Sequence, residues 1–188
     1  MSEAETDPAT AARWLVRSLD RAALATATAA GAWPYASLVI VACDHRARPL
    51  LLISQLAEHT QNLATDGRAS LLFDGTAGLV SPLTGSRVTV LGTLVKCDDG
   101  RMLARFIARH PDAADYAGFA DFSLYRMAVT RAHLVAGFGA IHWIAAEDLL
   151  FNDGDFGALA VAEADIVEHM NADHAAAVAG YANRLAKR

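Results

Sequence analysis

The chain has 188 residues, of which 54% are hydrophobic and 20% charged, with a formal net charge of −5 and a pI near 5.7. That length suits one compact domain with an appendage, and that hydrophobic fraction supplies a packed core rather than a disordered chain. No run of Lys and Arg forms a stripe able to neutralise successive phosphates, which argues against a nucleic-acid partner.

Asp7-Pro8 predicts a helix start, because the carboxylate caps free amides and proline fits the first helical position. Trp14, Leu15 and Leu19 form its apolar stripe, and the helix should end near Asp20. RAALATAT then reads as a strand, and AAGAWP, with Gly31 and Pro34, as the turn of a hairpin. Tyr35 to Asp44 and Pro49 to Ser54 are hydrophobic runs joined by the charged link HRAR, as two antiparallel wall strands require. Glu58 to Thr65 predicts a short helix closed by Asp66-Gly67, and ASLLF the strand after it.

A polar loop from Gly75 to Ser86 leads into RVTVLGTLVKCD, a long strand whose Gly92 marks a bulge or bend. Arg101 to Arg109 has Met102, Leu103, Phe106 and Ile107 on one side, as a surface-packed helix does, and His110-Pro111 stops it. Strands follow from Phe122 to Leu134 and from Ala140 to Ile144, separated by the GFG at 137–139. FNDGDFG is loop-like, and Glu163 to Arg184 forms a final helix with Ile166, Met170 and Val178 among its apolar positions. Helices this short cannot serve as the crossovers of a parallel sheet, so the expected class is mainly β with flanking helices (α+β), built as an antiparallel barrel.

Cys43 and Cys97 are too few for a disulfide framework and are not spaced as metal ligands, so both are expected as buried small hydrophobes in a reducing cytoplasm. The opening MSEAETDP lacks the basic-then-apolar order of an export signal. The best apolar run, Leu38 to Cys43, falls far short of the roughly 20 residues needed to cross a bilayer, so no membrane association is expected.

The segment ISQLAEHTQNLATDGRASLLF carries the most informative chemistry, since His59 and Thr60 open a helix directly after a strand. A helix start offers unpaired amides and a partial positive charge, and a hydroxyl and an imidazole add donors for a phosphate. The plainer alternative is that Thr60 caps the helix and His59 is solvated. Ser37 in YASLVIV and Arg87 at the start of RVTVLG approach the same phosphate if the barrel closes as expected; an arginine at a strand start is otherwise a solvated charge, as is Arg68.

GAWPYASLVIV, LLISQLAEHTQNLATDGRASLLF and RVTVLGTL, taken in this order, resemble the pyridoxamine-phosphate-oxidase-like FMN-binding split barrels. The pattern of LLIS, LAEHTQNL, RASLLF and GFGAIHW is most similar to the haem-utilisation (HugZ-like) branch, with the resemblance running from about Pro8 to Leu150. It implies a split-barrel domain over residues 1–150 and, over 151–188, a linker and C-terminal helix similar to the start of that branch's C-terminal region. It also implies a homodimer with FMN across the interface, the phosphate near Ser37, His59, Thr60 and Arg87. The flavin ring would lie along Tyr35, Ser37, Leu38 and Val39, bordered by Ser54 and Gln55.

Two departures stand out. Ser37 and His59 replace the arginine and lysine of pyridoxamine-phosphate oxidases, and AIHW at 140–143 offers only His142 in place of their substrate-gripping basic residues. The expected function is an FMN-dependent oxidoreductase or flavin carrier acting on a small substrate or oxygen. The alternatives are a haem-binding or haem-degrading protein and a non-catalytic dimeric binding module. No acid, base or nucleophile is identified as catalytic. Trp143 is expected in the core or at an interface and His142 facing the groove. His169 shares an i, i+4 face with Asp173, but His174 diverges from it by about 140° on a regular helix, so no metal site is expected.

Overall fold

The computed structural model describes residues 7–137, 139–151 and 156–185. They divide into two compact units, 1–152 and 153–188.

The first unit opens with α1 (Pro8–Ser18), whose N-cap Asp7 accepts hydrogen bonds from Thr10 N–H and Thr10 Oγ1–H, both at 3.0 Å. Its buried face is Ala12, Leu15 and Val16, at the i, i+3, i+4 spacing of one helix side. Trp14, expected on that face, is exposed, and the helix closes at Leu19, beside the expected end near Asp20. Strands β1 (Arg21–Ala27) and β2 (Pro34–Ile40) form the first hairpin. The run expected as one strand from Tyr35 to Asp44 is two. β2 ends at Ile40, Val41 N–H bonds Asp20 C=O at 2.8 Å, and β3 (Ala42–Cys43) leaves β1 to pair with β4 (Pro49–Ser54). A hydrophobic run does not record such a change of partner.

α2 (Glu58–Thr65), β5 (Arg68–Asp74), β6 (Arg87–Lys96), α3 (Gly100–Arg109), β7 (Phe122–Val135), β8 (Ile141–Ala145) and α4 (Ala146–Leu149) follow, close to their expected bounds. Short 3-10 turns at Pro82–Thr84 and Pro111–Asp115 interrupt two of the connections. All strand pairs are antiparallel, in the order β2-β1-β5-β6-β7-β4-β3 with β8 beside β7. β7 pairs with β6 from Tyr125 to Val135, whereas its other edge is shared, Phe122–Arg126 with β4 and Arg131–Val135 with β8. The β6–β7 register shifts between Leu91 and Gly92, so Thr130 is skipped. A Cβ on Gly92 would lie 2.3 Å from the Ala128 carbonyl oxygen, which explains why the expected bulge carries a glycine.

The curved sheet encloses one core of Leu24, Val41, Leu51, Leu71, Phe73, Val88, Val90, Met127 and Leu134 with the inner face of α1. β4 is buried on both sides. Leu51 and Ile53 join that core, while Leu50 and Leu52 join a second one with Met102 and Phe106 of α3. Cys43 and Cys97 are free and half-buried, and burial pushes the Cys43 thiol up to about 12.

The second unit holds α5 (Gly157–Asp173) and α6 (Ala175–Leu185). The single expected helix from Glu163 to Arg184 starts earlier and breaks at His174, which leaves helical geometry at φ −125, ψ 19. Of the expected loops, residue 138 of the GFG and residues 152–155 of FNDGDFG lie outside the described residues. No described helix is long and apolar enough to cross a membrane.

Candidate functional site

Alternation along β2 decides which of its residues reach the barrel interior. Tyr35, Ser37 and Val39 stand opposite Thr26, Leu24 and Ala22 of β1 on the core-facing side, whereas Leu38 points outward and is 73% exposed. The stretch expected to border one ring is thus split between two faces.

The turn after β4 is tied at Asp121. Ser54 Oγ donates to Asp121 Oδ2 at 2.5 Å and accepts Leu56 N–H at 3.0 Å, while Gln55 N–H donates to the Asp121 carbonyl at 2.7 Å. The Ser54 hydroxyl is therefore spent on the turn, and Gln55 is exposed. What the turn delivers is the start of α2. Ala57 stands at the N-cap with no side chain to bond the first-turn amides, so Thr60 lies inside the helix and is not its cap.

His59 Nδ1 lies 3.0 Å from Ser37 Oγ, which joins α2 to β2. His59 Nε2 and Thr60 Oγ1 are enclosed without a hydrogen-bond partner, and Thr60 is only 5% exposed. A buried polar group left in this state costs about 1–3 kcal/mol, so two together at one helix start mark a place shaped for something other than packing. Burial also lowers the His59 pKa from its ordinary value of 6.5 and favours the neutral ring. In the tautomer in which Ser37 O–H donates to Nδ1, the ring proton sits on Nε2, which then stands as a donor beside the Thr60 hydroxyl for an acidic ligand.

Asn62, wholly buried one turn further on, positions this group. Its Nδ2 donates to Thr26 Oγ1 at 3.1 Å and its Oδ1 accepts Ala29 N–H at 3.2 Å, pinning α2 to the β1–β2 hairpin. Sequence reasoning missed Asn62 and Asp121. An asparagine on the apolar side of a short helix, three residues after His59, was the available signal; Asp121, 67 residues from Ser54, left none.

Arg87 is not brought to this group within one chain. The row of Ser37 crosses Leu24, Leu71 and Val90, so Arg87 lies three strands over and three residues along. Measured along the sheet, that is on the order of 15–20 Å. Its guanidinium donates to the carbonyls of Leu83 at 3.2 Å and Gly85 at 3.3 Å. Arg68 is engaged by Asp66 at 2.6 Å, which holds the Asp66 carboxyl down at about 2. The donors gathered around α2 among the described residues, Ser37, His59 and Thr60, are all neutral.

Three surface hollows lie elsewhere. One of about 430 Å³ is lined by His142, Trp143 and Asp148 beside the start of α1, another of about 610 Å³ by Trp14 and Ser86, and a third of about 200 Å³ by Cys97 and Leu103. Trp143 is not a core residue. It is 57% exposed on the outer face, with the His133 ring 4.5 Å and the Arg131 guanidinium 4.3 Å from its ring centre.

In the second unit His169 Nδ1 meets Asp173 Oδ2 at 2.9 Å, and the break at His174 brings the two histidine rings to 5.0 Å, edge to face. The divergence expected of a regular helix is thus undone, yet among the described residues no three metal-ligating side chains gather.

Over 150 residues the chain is 30% identical to the non-canonical heme oxygenase HOZ, a chloroplastic protein of Arabidopsis thaliana, covering 76% of this chain and 44% of that protein. The chain therefore spans less than half the length of that relative. The structure of a heme binding protein from Mycobacterium smegmatis superposes with a TM-score of 0.72 at 30% identity, covering 90% of this chain and 70% of the other. A protein of the pyridoxinephosphate oxidase family from Clostridium acetobutylicum, related to general stress protein 26, superposes with a TM-score of 0.58 at 10% identity, over 75% of this chain and 96% of the other, and speaks to the fold alone. The sequence matches the CREG beta-barrel family over residues 3–150, and with the antiparallel split-barrel topology this places the chain in that family.

Proposed function

We propose that the chain is a haem-binding protein of the haem-utilisation type, working as a homodimer whose groove receives haem. The observation that carries this reading is the pair of enclosed, unpartnered polar atoms, His59 Nε2 and Thr60 Oγ1, at an uncapped helix start beside Ser37. Neutral donors match the single charge of a haem carboxylate better than the charge of nearly −2 on a phosphate, which draws on guanidinium or ammonium groups. Arg68 and Arg87 are occupied elsewhere. The two relatives at 30% identity are named for heme oxygenation and heme binding, which supports the same choice. Bound haem would supply the iron chemistry; Ser37, His59 and Thr60 would hold and orient its acidic edge.

A second copy completes the groove. Leu38, Ala23, Leu72, Thr89, His133 and Trp143 form one row across six strands on the outer face, opposite the core, and Leu38, Leu72 and Trp143 in it are exposed. A row this long, with Leu38, Leu72 and Trp143 exposed on it, is suited to an isologous contact between two identical faces. A cytoplasmic setting belongs to the same proposal, supported by the two free thiols.

The second reading is an FMN-dependent oxidoreductase. It is favoured by the same helix start, since uncapped amides with two added donors suit a phosphate, and by the fold shared with the pyridoxinephosphate oxidase family. Absorption spectra of the purified chain, titrated separately with haemin and FMN, decide between them. A new Soret band supports haem, a bound yellow chromophore supports flavin, and neither result favours the non-catalytic module and overturns both. Light scattering checks the dimer: wild type should run as two chains and Leu38→Glu as one, whereas a monomeric wild type refutes the pairing.

A further inference from the structure

The outer row ends in an arrangement that the barrel's own packing does not use. Ile144 pairs with Ala132 and both are buried in the core, so Trp143, next to Ile144 on β8, must face the other way. There it stands opposite His133, with the Arg131 guanidinium stacked on it. An indole backed by an imidazole and an arginine is a rigid flat surface, and the 57% exposure of Trp143 leaves much of it bare. β8 pairs only with β7 among the described strands, so this surface lies at the rim of the sheet and not in the middle of the row.

We infer that in the dimer Trp143 and Arg131 of one copy form the wall of the haem groove that faces the Ser37, His59 and Thr60 group of the other copy, Trp143 stacking on the flat conjugated ring and Arg131 pairing with an acidic substituent. This inference rests on the haem reading proposed above. Its physical basis is the juxtaposition of two groups that suit such a ligand: a π-face for the macrocycle and, two residues along the neighbouring strand from His133, a cation that can pair with one of its carboxylates. His133 holds the indole in place from the neighbouring strand and acts as a positioning residue.

The test uses the full chain and three probes, namely haemin, iron-free protoporphyrin and haemin dimethyl ester, whose acids are masked. Trp143→Leu should weaken haemin and protoporphyrin alike, by about tenfold in Kd, since both present the same ring. Arg131→Gln should weaken haemin by about tenfold and leave the ester unaffected. A second measurement covers the case in which Trp143→Leu fails to fold. With exposed Trp14 and Trp33 replaced by Phe, the remaining indole emission should be quenched in step with the Soret change. Variants that bind haemin as wild type does, or a Trp143 emission that haemin leaves unchanged, overturn the inference while the haem reading stands. If Trp143→Leu binds haemin normally but falls to a monomer, the ring belongs to subunit contact and the inference is wrong. A wild-type chain that takes up no haemin overturns both.

Discussion

The barrel unit and the helical unit solve the burial of apolar side chains in different ways. In the barrel, β4 serves two cores at once, and Phe73, Leu51 and Phe106 are completely shielded. In the helical unit α5 spreads apolar and acidic residues around its whole circumference, with Leu159, Val161, Ile166 and Val167 exposed, and buries none of its residues. Without a single apolar stripe it has no one face to pack. The contrast teaches that composition alone does not tell a core element from a surface awaiting cover; cross-strand register does, because it fixes which side chains share a face.

The contrast can be broken by mutation. Phe73→Ala should cost about 3–5 kcal/mol in chemical denaturation, as a large ring removed from a closed core leaves a cavity. A loss below about 1 kcal/mol would show a core able to collapse around the gap. Asn62→Ala should cost about 1–3 kcal/mol, because Thr26 and the Ala29 amide lose their buried partner. The Ser37–His59 contact should loosen with it, seen as faster hydrogen exchange at the start of α2.

A third comparison varies pH. Burial depresses the folded-state pKa of His59 below 6.5, so above that pH both folded and unfolded chains hold it neutral and its contribution is complete. As pH falls below 6.5 the unfolded chain binds the proton first, and stability drops until the pH passes the folded-state pKa. His59→Gln should flatten that part of the stability profile; an unchanged slope would mean that the ring is not shielded in solution. The smallest effect is expected in the helical unit, where Ile166→Ala should stay within about 0.5 kcal/mol in the isolated chain. A larger loss would reveal cover that α5 acquires in solution.

Much of the fold was legible because its signals are local. Glu58 and Thr65 bound α2 as expected, Asp7-Pro8 starts α1, and Gly92 sits at the bulge. The missed features depend on distant partners. Val41 ends one ladder and leads into another, which its hydrophobicity cannot encode. Trp143 faces outward because of its register with β7, and the break at His174 sits where apolar periodicity shows no interruption. Of the candidate site, His59 and Thr60 were singled out by residue type at a helix start and Ser37 by its place in a wall strand, and the structure brings Ser37 and His59 within 3.0 Å. The Arg87 placement required strand order, and the Asp121 latch required the path of β7.

The division of β7 has a further consequence. Its two halves carry different neighbours on one edge, and the skipped Thr130 falls at the parting of β4 from β8. A fault introduced on either branch, such as a slipped pairing or an altered hairpin, therefore meets a firebreak before it reaches the other. The latch at Asp121 and the aromatic rim at Trp143 thus hang from opposite ends of one strand, each steadied by its own neighbour.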